Sequence, residues 1–115
     1  MTEEKGYNGW SNYETWAINV WLTNDESSYD YLMEQVDEAY KSASATEYAT
    51  REQTATYNLS QTLQLEAEEN KPEVSGYYAD LLNSALGSVD WYELAKHYID
   101  DLDKSEYDNE EDGEQ

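Results

Sequence analysis

The sequence predicts an all-α fold, a small helical domain of four to five helices followed by a disordered acidic C-terminal tail. Three observations predict it. Capping signatures precede several aromatic-rich segments, apolar residues recur at helical spacing, and no alternating strand pattern of any length occurs. The 115 residues suit one domain with a modest core. The expected division is an N-terminal arm over 1–10, a helical domain over 11–104 and the tail over 105–115. Four Trp and twelve Tyr carry the apolar weight, with Phe absent and aliphatics few. Such a chain can bury enough aromatic surface to fold.

The first helix is expected from Ser11-Asn12-Tyr13-Glu14, which has the form of a capping box: Ser11 as N-cap, Glu14 reaching back to it. At 100° per residue Tyr13, Trp16, Ala17, Val20 and Trp21 share one side, Ile18 and Leu22 widen it, and only Thr15 and Asn19 stay polar opposite. This reads as a central, mostly buried helix, packed by the second and last helices.

Asn24-Asp25 breaks it. The second helix, over roughly 26–44, sets a stripe of Tyr29, Leu32, Met33, Val36, Tyr40 and Ala43 against Glu26, Asp30, Glu34, Asp37 and Glu38. Like charges at i,i+4 cost about 0.2–0.5 kcal/mol each, and Lys41 alone offers relief. A purely structural face usually alternates signs.

A third helix is expected from about 46 to 69, with Tyr48, Ala55, Leu59, Leu63 and Ala67 in register. Pro72 ends it, because proline disfavours helical geometry in the residue before it. A shorter fourth helix spans about 76–86, with Ser75 as its cap and Gly87 as its stop. The fifth opens with Asp90 as cap, Glu93 three residues on, and Val89 placed to staple onto Leu94. Trp91, Leu94, Ala95, Tyr98, Ile99 and Leu102 form its inner face. Tyr7, Trp10, Tyr57 and Tyr107 are not placed by periodicity.

Charge bounds the function. Twenty-seven Asp and Glu against six Lys and Arg give −21. From residue 100 on, nine carboxylates meet one Lys, a net of −8, while residues 6–99 hold −12. The excess therefore lies mainly on the folded part. Self-repulsion of this size destabilises the compact state and makes nucleic acid and anionic membrane poor direct partners, whereas cationic grooves become good ones. The absence of Cys removes disulfides and thiolate chemistry. The N-terminus lacks a signal-peptide pattern and no apolar run is long enough to span a bilayer, so a cytoplasmic protein is expected.

Chemistry is sparsely signalled. His97, the single histidine, falls opposite the inner face of the last helix and reads as a surface residue. Carboxylate pairs are unavoidable at this density, and glycine-rich phosphate loops are missing. Asp108-Asn109-Glu110-Glu111-Asp112-Gly113 superficially resembles a calcium loop but holds no distal bidentate Glu, and is read as solvated charge. No enzyme activity, metal or cofactor is expected.

Gly9-Trp10-Ser11-Asn12-Tyr13-Glu14-Thr15-Trp16 with Trp21-Leu22-Thr23-Asn24 resembles a group of small acidic proteins of phages and plasmids that carry Asn-Tyr-Glu-Thr-Trp and a second Trp five residues on. Val89-Asp90-Trp91-Tyr92-Glu93-Leu94-Ala95 looks like a second signature of that group. The two cover about a quarter of the chain. The resemblance implies a mobile-element origin and carries no catalytic residues. In charge and size, though in no motif, the chain is also similar to DNA-mimic anti-defence proteins.

The functional expectation is an acidic DNA mimic that inhibits a host DNA-binding or defence protein of restriction or CRISPR type, with the basic surface of that protein as partner. Glu26, Asp30, Glu34, Asp37 and Glu38 are the expected binding face. Glu66, Glu68, Glu69, Asp100, Asp101 and Asp103 are possible additional acidic surface. The alternative is a salt-adapted acidic interaction module without mimicry. A homodimer is compatible with either.

Overall fold

The computed structural model describes residues 6–107. Five helices follow in order: α1 (Tyr13–Thr23), α2 (Glu26–Ser42), α3 (Arg51–Glu69), α4 (Tyr77–Ser88) and α5 (Trp91–Asp101). A single helical turn over 105–107 closes the described chain. No strand occurs among the described residues. The all-α expectation holds, with five helices as its upper number.

The core is built around α3, which packs most extensively on α5 and then on α2. Leu32 and Val36 from α2, Ala55, Leu59 and Leu63 from α3, and Leu94, Ala95 and Ile99 from α5 meet there, all fully or almost fully buried. Each large aliphatic among them contributes about 1.5–3 kcal/mol on leaving water. Most of the inner faces read from periodicity in the second and last helices are buried, but Tyr29 at the start of α2 is 46% exposed and Ala39, outside the expected stripe, is buried.

α1 is not the centre of the fold. Thr15 is its one fully buried residue, while Trp21 is 74% exposed and Tyr13 53%. The helix lies with its polar stripe inward. The Asp90 amide donates to Thr15 Oγ1 at 2.9 Å, and the Tyr98 hydroxyl donates to Asn19 Oδ1 at 2.7 Å. Two hydrogen bonds to α5 thus satisfy the polar groups that turn inward, while Ile18 and Leu22 beside them pack on the core. A helix apolar on nearly every side gives no moment to orient it, so the polar pair decides.

The caps differ in detail from the expectation. Asn12, not Ser11, caps α1, its Oδ1 accepting from the Thr15 amide, and its Nδ2 donates to the Ser88 carbonyl at 2.7 Å. Ser11 donates instead to Glu93, from both its amide and its hydroxyl, tying the chain before α1 to α5. α3 begins at Arg51 rather than near 46, because Thr50 and Gln53 close a reciprocal capping box there. α4 has no side-chain cap: Gly76 is its N-cap at φ +64°, where a Cβ would be strained, and Ser75 does not cap it. Gly87 lies within α4 instead of stopping it. Asp90 caps α5 as expected, accepting from the Glu93 amide at 2.9 Å.

Packed contacts extend to residues on both sides of the expected helical span. Tyr7 and Trp10 exchange two backbone hydrogen bonds across Asn8 and Gly9, both at positive φ, which is the two-residue hairpin turn that Asn-Gly favours. That turn buries Trp10 beside His97, with ring centroids 5.0 Å apart. At the other end Tyr107, placed in the tail by the sequence, is buried edge-on to Tyr40 at 4.9 Å. Tail residues 108–115, including the calcium-loop-like segment, lie outside the described residues.

Candidate functional site

The acidic row on α2 follows from the helix it sits on. Glu26, Asp30, Glu34 and Glu38 stand at four-residue steps, about 6 Å each along the axis and about 18 Å in all. Each step overshoots a full turn by about 40°, so the row winds around α2 in a right-handed sense instead of lying flat. All four side chains are exposed, and none forms an ion pair with a described residue.

Asp37, expected in this face, leaves it. The Tyr107 hydroxyl donates to its carboxylate and Lys41 pairs with it at 3.2 Å. The phenol hydrogen bond first, and Lys41 after it, hold the Asp37 carboxyl below the usual carboxylate range. This carboxylate anchors the segment after α5 to α2, and half-burial keeps it from presenting its charge as its neighbours do.

Glu66 joins the row from α3. The Tyr31 hydroxyl donates to its Oε2 at 2.6 Å across the α2–α3 groove, and the hydrogen bond to that carboxylate pushes the Tyr31 phenol upward. The groove has a volume of about 560 Å³, and Glu34, Glu38 and Glu66 are its charged lining. Two amides (Gln35, Asn58) and two hydroxyls (Ser42, Thr62) complete its polar wall. The arrangement presents acceptors and negative charge to a cationic or hydrogen-bond-donating partner; it has no titratable base held in a desolvated cleft.

The remaining expected residues lie apart from this groove. Glu68 pairs with Lys71 at 3.5 Å, and Glu69 is exposed at the end of α3. Asp100 pairs with Lys96 at 2.9 Å, Asp101 stands 3.9 Å from His97, and Asp103 accepts from both the amide and hydroxyl of Ser105, which lowers its pKa. These three cluster at the end of α5, where they serve local turns and pairs. Sequence reasoning chose the five on α2 by their helical spacing and the other six by charge alone; the antiparallel neighbourhood of α2 and α3 selects Glu66 from among those six. Tyr31, which fixes Glu66, was missed, although its place one residue from Asp30 and three from Glu34 was a signal.

The cations are committed elsewhere. Lys41, Lys71 and Lys96 sit in i,i+3 or i,i+4 pairs, and Lys104 reaches Glu52 at 4.0 Å. Arg51 donates to the Tyr40 carbonyl and lies 4.2 Å over the Tyr40 ring. Residues 6–107 hold twenty carboxylates against these five cations, a net of −15.

Two other concavities carry no comparable charge pattern. One, about 370 Å³, lies between the Asn8-Gly9 turn and α5 and is lined by Trp10, Glu93, Lys96, His97 and Asp100. The other, about 710 Å³, is bordered by Tyr57, Gln61, Gln64, Trp91 and Tyr92. No group of three or more His, Asp or Glu able to hold a metal ion occurs among the described residues, and no helix there is long and apolar enough to cross a membrane.

The model of a family of unknown function, DUF7249, matches residues 3–111, nearly the whole chain. No curated protein matches the chain. No solved structure matches it either.

Proposed function

We propose that this chain, which belongs to DUF7249, is an acidic decoy that occupies the cationic groove of a nucleic-acid-binding protein, with Glu26, Asp30, Glu34, Glu38 and Glu66 standing where phosphates would lie. The observation that supports the reading is the row itself: carboxylates about 6 Å apart, exposed, free of ion pairs with described residues and continued across the α2–α3 groove by Glu66. Its right-handed winding has the same sense as a strand of B-form duplex. A groove that gains affinity by neutralising phosphates gains it here by neutralising carboxylates already held on a rigid helix. No covalent chemistry is required. A restriction- or CRISPR-type defence protein met in a host cytoplasm, opposed by a phage- or plasmid-type inhibitor, is the setting proposed.

Capture from a bacterial lysate on the immobilised protein, followed by elution with a duplex oligonucleotide, tests the reading. The decoy account expects specific proteins to elute with duplex DNA and also with 0.5 M salt. Proteins that elute with salt but are indifferent to duplex DNA would contradict it.

One observation favours the second reading, salt adaptation without a charge-based partner: exposed carboxylates also stand on α3, α4 and α5, far from the row. That reading expects circular dichroism to show a fold stable only at molar salt, whereas a decoy is folded at about 0.1 M.

A further inference from the structure

α4 presents a charge-poor apolar face to solvent. It buries no residue fully, and Tyr77, Tyr78 and Leu81 are 67, 63 and 65% exposed. On a helical wheel these three fall within about 100° of one another, centred well away from Leu82 and Leu86, which turn toward the body of the protein. From Val74 to Val89 the sequence holds one charged residue, Asp80, in a chain with twenty-seven carboxylates. Asp80 sits about 100° from the centre of the apolar face, at its rim.

We propose that this face is a self-association surface, and that its occupant is α4 of a second copy of the chain. Charge selects the occupant. Two copies at −21 each repel wherever carboxylates meet, and α4 lets them approach while bringing only Asp80 from the helix itself and Glu73, beside Val74, from the segment before it. A two-fold pairing is self-complementary, so Tyr77, Tyr78 and Leu81 meet their own equivalents and each Asp80 stays at the edge. Residues 1–5 and 108–115 contain one apolar side chain, Met1, and so offer nothing suited to cover the face from within the sequence. The two tyrosines, the leucine and half-exposed Val74 present roughly 400 Å² of side-chain surface, about half of what one partner of a standard interface contributes. Ser84, about 70° from the centre of the face, supplies a polar rim on one side, while Asn83 lies on the opposite side of the helix and accepts from Lys71. Twice this area, about 800 Å² in all, is less than a standard interface buries and fits a weak, transient dimer.

Salt gives the interface a signature of its own. Repulsion between the copies is screened as the Debye length falls to about 4 Å at 0.5 M, so self-association strengthens with salt while binding to a cationic groove weakens. The proposal does not rest on the decoy reading, and the two can fail separately.

The test is sedimentation velocity from 2 to 200 µM at 0.1 and 0.5 M NaCl, on the wild type, Leu81→Asp, the double variant Tyr77→Ser/Tyr78→Ser, and Tyr48→Asp, a control at an 88% exposed tyrosine outside α4. The expected result is a dimer that grows with concentration and salt, is at least tenfold weaker in both α4 variants, and is unchanged in the control, with identical far-ultraviolet circular dichroism throughout. A wild type that stays monomeric at 200 µM in 0.5 M salt would overturn the proposal. So would a dimer that the α4 variants leave intact, or one that the control weakens equally.

Discussion

Replacing Tyr107 with Phe removes one hydroxyl and leaves the ring edge-on to Tyr40, so it isolates the hydrogen bond to Asp37 from the packing around it. A hydrogen bond to a charged acceptor is worth about 1.5–3 kcal/mol when buried. The Asp37 side chain is 40% exposed, so water competes for it and about 1–1.5 kcal/mol is the appropriate size. For a domain of this length that lowers the melting temperature by about 4–7 °C at pH 7. The pH dependence has a definite sign. The carboxyl is held below its ordinary value when folded, so its contribution is complete above the unfolded value near 3.9 and is lost as pH falls through the lower, folded value. The gap between wild type and variant, followed by circular dichroism melts, is therefore widest near neutrality and narrows below about pH 4. Equal melting temperatures at pH 7, or a gap that widens toward acid, would refute the assignment of Asp37 to anchoring.

Other substitutions probe the frame that carries the row. Thr15→Val keeps the shape of a fully buried side chain but leaves the Asp90 amide without its acceptor at the start of α5; a loss of about 1–3 kcal/mol in denaturant unfolding is expected. Gly87→Ala, inside α4 with nothing within 4 Å of the added carbon, raises stability by about 0.5 kcal/mol, whereas Gly76→Ala at φ +64° lowers it by about 1–3 kcal/mol. Chemical denaturation midpoints distinguish the two glycines.

How far the sequence could be read depended on how one-sided each helix is. In α2 and α5 a narrow apolar stripe faces a charged one, and the buried residues follow from 3.6-residue spacing. α1 defeats the same method because aromatics surround it; its orientation is set by Thr15 and Asn19 finding donors on α5, a tertiary fact with no local pattern. Ser11 looked like a cap because its spacing to Glu14 is right, yet Asn12 competes one residue later and Glu93 draws Ser11 away. Asn-Gly is a strong hairpin signal that the sequence reading left unused at Asn8-Gly9, whereas the burial of Trp10 beside His97 is a tertiary fact with no local signal. On the candidate site, the spacing of Glu26, Asp30, Glu34 and Glu38 was fully visible. That Asp37 would leave the row for Tyr107, seventy residues away, and that Glu66 would enter it through Tyr31, depends on how α2 packs against α3 and on where the segment after α5 lands.

The central claim is that the α2 row and Glu66 stand in for phosphates, and competition tests it most directly. A protein eluted by duplex DNA is titrated with labelled duplex in the presence of wild type, of Glu34→Gln/Glu38→Gln/Glu66→Gln, and of Asp100→Asn/Asp101→Asn/Asp103→Asn as an equal-charge control. The account predicts that wild type and control displace the duplex with the same midpoint, and that the row variant needs about tenfold more protein, as expected for the loss of several charge contacts in one groove. Simultaneous binding of duplex and wild type, or equal midpoints for all three proteins, would contradict it.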